Sequence, residues 1–221
     1  MKTIKNIKKP DAVFWDWDGT LVDSYSFLDE AHSHTLVTLG FAPFKEGEYK
    51  QYFGKPRETL YPAIYKDKCE EAKVIFGKYV TENSHKINVI NGGEAILDHF
   101  FSQKIPMGIV SNKKADLIKL EVERLGWGKY FLTIVGAGDA MNDKPSADPL
   151  TLALKRTNID HNTNNIWYIG DTENDLACAS NLGCASLFLT GHDDTGRLIE
   201  TYNPIISFEN YSQLEEILVA I

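Results

Sequence analysis

The sequence predicts an α/β fold, a parallel sheet with helices on both faces and one small helical domain inserted into it. Three observations carry this. Apolar segments of strand type alternate with helix-length segments from about residue 92 to the end. Such alternation implies βαβ units, whose right-handed crossovers place helices on both faces of a parallel sheet. Several of the strand segments run straight into polar residues that open a helix. Finally, the connection from Asp23 to about Ile90 is far too long for an ordinary loop and has no strand pattern.

Taken in order, strands are expected near 12–17, 107–111, 132–137, 165–170, 185–190 and 204–208. Helices are expected near 92–104, 114–126, 147–157, 173–182 and 212–220. Gly126 and Gly183 fall where helix C-caps are expected. The inserted segment, 24–90, shows helical stretches near 25–39, 46–53, 57–66 and 68–86, punctuated by Gly40, Pro43, Gly54-Lys55-Pro56 and Pro62. Asp23-Ser24 and Asn91-Gly92-Gly93 mark where the chain leaves and returns. The remaining pieces, 1–23 and 91–221, form the sheet domain.

Composition fits a soluble enzyme. The chain has 221 residues, 43% hydrophobic and 24% charged, enough for a full core plus an insertion. A net charge of −8 argues against nucleic acid as a partner, because binding a phosphate backbone needs a basic face. No run approaches the ~20 apolar residues that span a bilayer. Lys2, Lys5, Lys8 and Lys9 are followed by no apolar segment, so a secretory signal is not expected. Cys69, Cys178 and Cys184 are odd in number and lack Cys-x-x-Cys spacing, the pattern of reduced thiols in a cytoplasmic protein. A monomer or homodimer is expected.

The most informative segment is Val13-Phe14-Trp15-Asp16-Trp17-Asp18-Gly19-Thr20. An apolar strand drives into two carboxylates one residue apart and a glycine then breaks it. Residues i and i+2 share a strand face, so Asp16 and Asp18 can point toward one small site. Burying such a pair is costly unless the charges are compensated. A divalent cation at the carboxyl end of the strand is the usual compensation, and open α/β sheets place their ligands there. Three further strand ends follow. Met107-Gly108-Ile109-Val110 runs into Ser111-Asn112-Lys113. Ile134-Val135-Gly136-Ala137 leads through Asp139 to Lys144-Pro145. Ile166-Trp167-Tyr168-Ile169 ends in Gly170-Asp171-Thr172-Glu173-Asn174-Asp175.

Asp-x-Asp, a hydroxyl, a lysine and a second acidic pair, in that order over nearly the whole chain, resemble the haloacid-dehalogenase-like superfamily of phosphotransferases. The resemblance implies a Rossmann-like core with a helical cap inserted after the first strand and closing over the active site. It implies Asp16 as nucleophile and Asp18 as general acid and base. It further implies a Mg²⁺ ion held by the Asp16 carboxylate, the Asp18 backbone carbonyl and the Asp171 carboxylate, with Asp175 acting from behind them on the water around the metal. Ser111 and Lys144 are implied to reach the transferring phosphoryl group. Mg²⁺ suits such a site as a hard ion that takes oxygen ligands and keeps several waters.

Other readings of these residues stay open at this stage. Thr172-Glu173-Asn174-Asp175 fits the capping-box pattern at a helix start, a role compatible with the first. Ser111 could be an N-cap and Lys144 a solvated loop residue. Asn112 contacts the phosphoryl group or caps the helix. Alanine stands at 147, where the family often has a second proline; no catalytic atom is involved. Trp15, Trp17 and Trp167 read as core or site walls. His32 and His34, two apart on a helix, do not form a metal pair. His192-Asp193-Asp194 reads as a solvated turn.

The expected function is therefore Mg²⁺-dependent hydrolysis of a small phosphorylated metabolite, nearest to phosphoglycolate-phosphatase-like enzymes. A sugar phosphomutase resembling β-phosphoglucomutase is one rival. Such mutases carry a cap histidine about twelve residues past the nucleophile, where this chain has Leu28. A non-catalytic phosphate-binding relative is another, but none of its expected losses is seen. Substrate choice is expected in the cap, at Lys55 and Arg57. A cation at the start of a helix opposes the helix dipole, which suggests a functional reason for the guanidinium.

Overall fold

A computed structural model describes residues 7–53, 55, 57–191 and 195–220. The expected turn at His192-Asp193-Asp194, and Gly54 and Pro56 of the cap segment, lie outside the described residues. Six strands form one sheet: β1 (Ala12–Trp15), β4 (Met107–Val110), β5 (Phe131–Val135), β6 (Ile166–Gly170), β7 (Ala185–Leu189) and β8 (Ile206–Phe208). Their order is β5-β4-β1-β6-β7-β8, and every adjacent pair is parallel. β1 is thus central, with Trp15 aligned to Ile109 on one side and Ile169 on the other.

The side-chain period of two divides β1 between two cores. Val13 and Trp15 join one cluster with Ile96, Leu97 and Phe100 of α4 (Gly93–Ser102), Ile118 and Val122 of α5 (Ala115–Arg124), and Leu214 and Leu218 of α9 (Tyr211–Val219). Ala12 and Phe14 join the other with Leu150, Ala153 and Leu154 of α6 (Asp148–Thr157) and Cys178 and Ala179 of α7 (Glu173–Leu182). Both faces of the sheet are covered, so every residue of β1, β4 and β6 is buried and the strands read as unbroken apolar runs. Gly126 follows the C-cap Leu125 of α5, and Gly183 caps α7, each with positive φ.

The segment between β1 and α4 folds as three helices, α1 (Tyr25–Thr38), α2 (Arg57–Tyr65) and α3 (Cys69–Asn83). Phe27, Ala31, Leu60, Tyr61, Ile64, Tyr65, Ala72, Phe76 and Val80 pack between them and merge with the first core cluster. Short 3₁₀ turns at Glu48–Gln51, Lys66–Lys68 and Ser84–Lys86 shorten the expected helices near 46–53 and 68–86.

Three elements differ from the sequence expectation. β2 (Val22–Asp23) pairs antiparallel with β3 (Asn88–Val89), so the outgoing and returning chains are zipped together, although no strand was expected between Asp23 and Ile90. Two-residue strands carry too little alternation to be read. An additional helix, α8 (Thr195–Tyr202), lies between β7 and β8; Gly196 lowers its propensity, and Leu198 is its only residue that is fully buried. Among the described residues no helix is long and apolar enough to cross a membrane.

Candidate active site

The strand hydrogen bonding of β1 ends at the first of the two acids. Asp16 N still donates to Ile169 O at 2.8 Å, and the chain then turns tightly, Leu21 N and Val22 N both donating to Trp17 O. Gly19 lies at φ +83 inside this turn, and a Cβ there would collide with the Asp171 carboxylate. The turn thus needs glycine both for its backbone conformation and for its approach to β6. Thr20 Oγ1 donates to Asp171 Oδ1 at 2.7 Å, and Tyr211 Oη donates to Thr20 O at 2.6 Å, so the turn is tied to the end of β6.

The neighbouring strands deliver the remaining groups to the same sheet edge. Lys144 is buried, and its ammonium donates to Asp16 Oδ1 at 2.7 Å, to Asp175 Oδ1 at 2.6 Å and to Tyr168 Oη at 3.0 Å. Burial alone would lower its pKa; Asp16 and Asp175 outweigh that and raise it. Asp175 also accepts from Thr172 N at 2.9 Å and Thr172 Oγ1 at 2.6 Å, completing a capping box at the start of α7. The cap and the lysine contact coexist, one on each carboxylate oxygen. Gly170 makes room for this: a Cβ on it would collide with the Asp175 side chain.

Asn112 does not cap α5, whose N-cap is Lys114, and it lines the cavity described below. Its side chain grips the backbone of Lys144 from both sides, Nδ2 donating to Lys144 O and Oδ1 accepting from Lys144 N, each at 3.0 Å. Ser111 is not an N-cap either, since α5 begins at Ala115 after the N-cap Lys114. It is buried at the end of β4 and lines the cavity described below.

Carboxylate oxygens of Asp16, Asp171 and Asp175 lie within 4.8 Å of one another. Among the described residues only one ammonium, that of Lys144, is bonded into this group. The imbalance is visible in both acids: burial, reinforced by Asp175, raises the Asp16 carboxyl, and burial with Asp175 and Asp16 raises Asp171 well above the ordinary range. Asp171 Oδ2 is buried with no hydrogen-bond partner among the described residues. An orphaned oxygen in an all-oxygen donor set with excess negative charge fits a hard divalent cation.

Asp18 faces a second charge cluster that the sequence reading missed. Lys113 Nζ lies 3.0 Å from Asp18 Oδ1 and within 2.8 Å of both oxygens of Glu121. Glu121 also accepts from the Trp17 indole N–H at 2.5 Å. Burial opposes the Lys113 charge, but Asp18 and Glu121 together hold its pKa above the usual value. One signal was available: Glu121 falls on the buried stripe of α5 with Ile118 and Val122, an unusual place for an unpaired acid.

Asp16, Asp18, Ser111, Asn112, Lys113 and Lys144 form one wall of a cavity of about 90 Å³. The opposite wall comes from the inserted helices and includes Lys55 and Arg57 together with Leu28, His32 and several rings. Asp171 and Asp175 are fully buried and are not among the lining residues. His34 is not among the lining residues, and its ring lies tilted 4.5 Å from that of Tyr79.

A model of the haloacid dehalogenase-like hydrolase family matches residues 13–189. Among curated proteins, the phosphoglycolate phosphatase of Photobacterium profundum is 27% identical, the match covering 99% of this chain and 98% of that one. The pyrophosphatase PpaX of Bacillus velezensis is 25% identical, covering 94% and 95%. Among solved structures, a haloacid dehalogenase-like family hydrolase from Streptococcus pneumoniae superposes with a TM-score of 0.80 at 23% identity, covering 94% of this chain and 97% of that one. A predicted phosphoglycolate phosphatase from Haemophilus somnus gives 0.83 at 18% identity, covering 96% and 100%.

Proposed function

This chain belongs to the haloacid dehalogenase-like hydrolase family, and we propose that it is a Mg²⁺-dependent phosphatase of small phosphomonoesters working through an aspartyl-phosphate. In this reading 1–23 and 91–221 form the catalytic core and 24–90 the cap. The carrying observation is the gathering of the Asp16, Asp171 and Asp175 carboxylates around Lys144 at the end of the central strand, beside a cavity roofed by the inserted helices.

Phosphoryl transfer asks mainly for positioning and neutralised charge. An Asp16 carboxylate oxygen attacks phosphorus, the bond from phosphorus to the ester oxygen breaks, and Asp18 gives that oxygen its proton. Asp18 then takes a proton from the water that attacks the aspartyl-phosphate, and inorganic phosphate leaves with Asp16 restored. Lys144 and Ser111 bind the phosphoryl oxygens, and Asn112 fixes Lys144 through its backbone. Asp16, the Asp18 backbone carbonyl and Asp171 would hold Mg²⁺, with Asp175 behind them. When bound, the ion supplies positive charge against the phosphoryl oxygens.

Hydrolysis is favoured over phosphoryl transfer between sugars by Leu28, an apolar residue on the cavity wall where the mutases carry histidine. His32 does not stand in for it. Its Nδ1 is engaged by Tyr65 Oη at 2.6 Å, and burial, helped by Arg57, holds its pKa down to about 3. A cytoplasmic location fits three unpaired cysteines, two of them, Cys178 and Cys184, pushed up to about 12 by burial.

The test is phosphate release from a panel of phosphomonoesters, with Mg²⁺ and with excess chelator. Turnover is expected only with the metal, and Asp16→Asn should lower kcat at least about a hundredfold while the fold persists. Full turnover in chelator, or in Asp16→Asn, rejects the reading.

A further inference from the structure

The two walls of the cavity differ in chemistry. The core wall carries the acids, the hydroxyl and the lysines. The cap wall is built of rings: Tyr49, Tyr52, Phe53, Tyr61 and Phe76 all line it. They form an interlocked set, Tyr49 against Phe53 at 6.2 Å and Tyr61 against Phe76 at 6.1 Å, both edge to face. His32 adds another ring at 4.4 Å from Phe76, and its low pKa keeps it neutral.

Charge on this wall has one sign. Lys55 and Arg57 line the cavity, and no carboxylate of the cap does so among the described residues. The Arg57 guanidinium lies over the Tyr61 ring at 5.2 Å and the Lys55 ammonium over Tyr52 at 5.7 Å. Tyr61 is 2% exposed, and its hydroxyl is buried with no hydrogen-bond partner among the described residues.

We propose that the substrate is a phosphomonoester of an aromatic or heteroaromatic alcohol, its ring seated among the cap rings and an anionic substituent bound by Arg57. This rests on the phosphatase reading of the core wall and names the leaving group for it. A two-carbon leaving group presents no flat face to these rings. A six-membered ring does, and aromatic faces prefer the edge-to-face and offset contacts that this wall already displays.

The experiment compares kcat/KM of the wild-type protein, with Mg²⁺, for ethyl phosphate, phosphoglycolate, benzyl phosphate and 4-carboxybenzyl phosphate. Ethanol and benzyl alcohol are of similar basicity, so the chemical step is nearly matched and the ratio reads the ring. Benzyl phosphate should exceed ethyl phosphate by about ten- to a hundredfold, the effect of burying one phenyl-sized group. The carboxybenzyl ester should be better still, and Arg57→Ala should remove that second advantage. Ethyl phosphate or phosphoglycolate turned over as fast as benzyl phosphate overturns the proposal. Equal rates for the benzyl and carboxybenzyl esters overturn the part assigned to Arg57. Calorimetry with benzylphosphonate and ethylphosphonate separates the two levels. If no ester is hydrolysed yet benzylphosphonate binds at least about tenfold tighter, the phosphatase reading fails and the ring site stands. Equal phosphonate affinities reject the ring site whatever the turnover.

Discussion

Replacing Lys113 with methionine isolates the charge cluster beside Asp18. The ammonium is 5% exposed, Glu121 1% and Asp18 16%, so Glu121 is the partner that cannot recover solvent. Methionine keeps most of the length and volume but leaves Glu121 as a buried carboxylate with, among the described residues, only the Trp17 N–H as donor. Removing one partner of a buried ion pair costs about 3–5 kcal/mol. For a chain of this size that is about 6–20 °C in Tm. Burial already raises the Glu121 pKa even with Lys113 opposing it. Without Lys113 it rises further, so the folded variant takes up a proton that the unfolded chain holds only at lower pH. A raised folded pKa means stability present at low pH and lost as pH rises. The deficit of the variant should therefore be largest in mild alkali and shrink toward about pH 5. The assay is urea denaturation across that range for Lys113→Met, Glu121→Gln and the double variant. The glutamine oxygen still accepts from Trp17, so the double variant should recover at least half of the single lysine variant's loss. A cost below about 1 kcal/mol for Lys113→Met, or a double variant no more stable than it, refutes the reasoning.

Three further outcomes are expected. Asp171→Asn keeps the Thr20 contact but removes charge from the acidic group, so the Mg²⁺ concentration for half-maximal turnover should rise at least about tenfold, read by metal titration of kcat. Gly170→Ala forces a Cβ into Asp175; it should lower kcat and destabilise the fold by about 1–3 kcal/mol, and wild-type values for both would show the approach to be looser than described. His32 has a folded pKa of about 3, below the ordinary value of the unfolded chain, so its contribution is intact above about pH 6.5 and lost as pH falls. Between pH 7 and pH 5 the wild type should lose about 2 kcal/mol more than His32→Phe, measured by urea midpoints; parallel curves would contradict a neutral, buried imidazole.

Most of the architecture was legible because the central strands β1, β4 and β6 are buried on both faces and therefore stand out as apolar runs. β2 and β3 were not, because pairing of two residues leaves no periodicity. α8 was not, because Gly196 and one fully buried leucine give a faint stripe. The acids, the hydroxyl and Lys144 were legible as a series of strand ends in a fixed order. What they bind to was not: Lys113 meets Asp18 across 95 residues and Trp17 meets Glu121 across 104, contacts set by how α5 packs against the turn after β1. Asn112 was left between two roles, and its actual partner is the Lys144 backbone, which no local pattern announces. The aromatic wall was equally hidden, since Tyr49, Phe53, Tyr61 and Phe76 come from a 3₁₀ turn, its flank and two different helices.

The central claim is that Asp16 carries the phosphoryl group between ester and water. It is tested most directly by acid-quenching the wild-type protein within a single turnover of a substrate with a radiolabelled phosphoryl group. The label should appear on the protein, be released by hydroxylamine as an acyl phosphate is, and map to the peptide containing Asp16. Substrate consumed at the full rate with no label ever reaching that peptide would contradict the account.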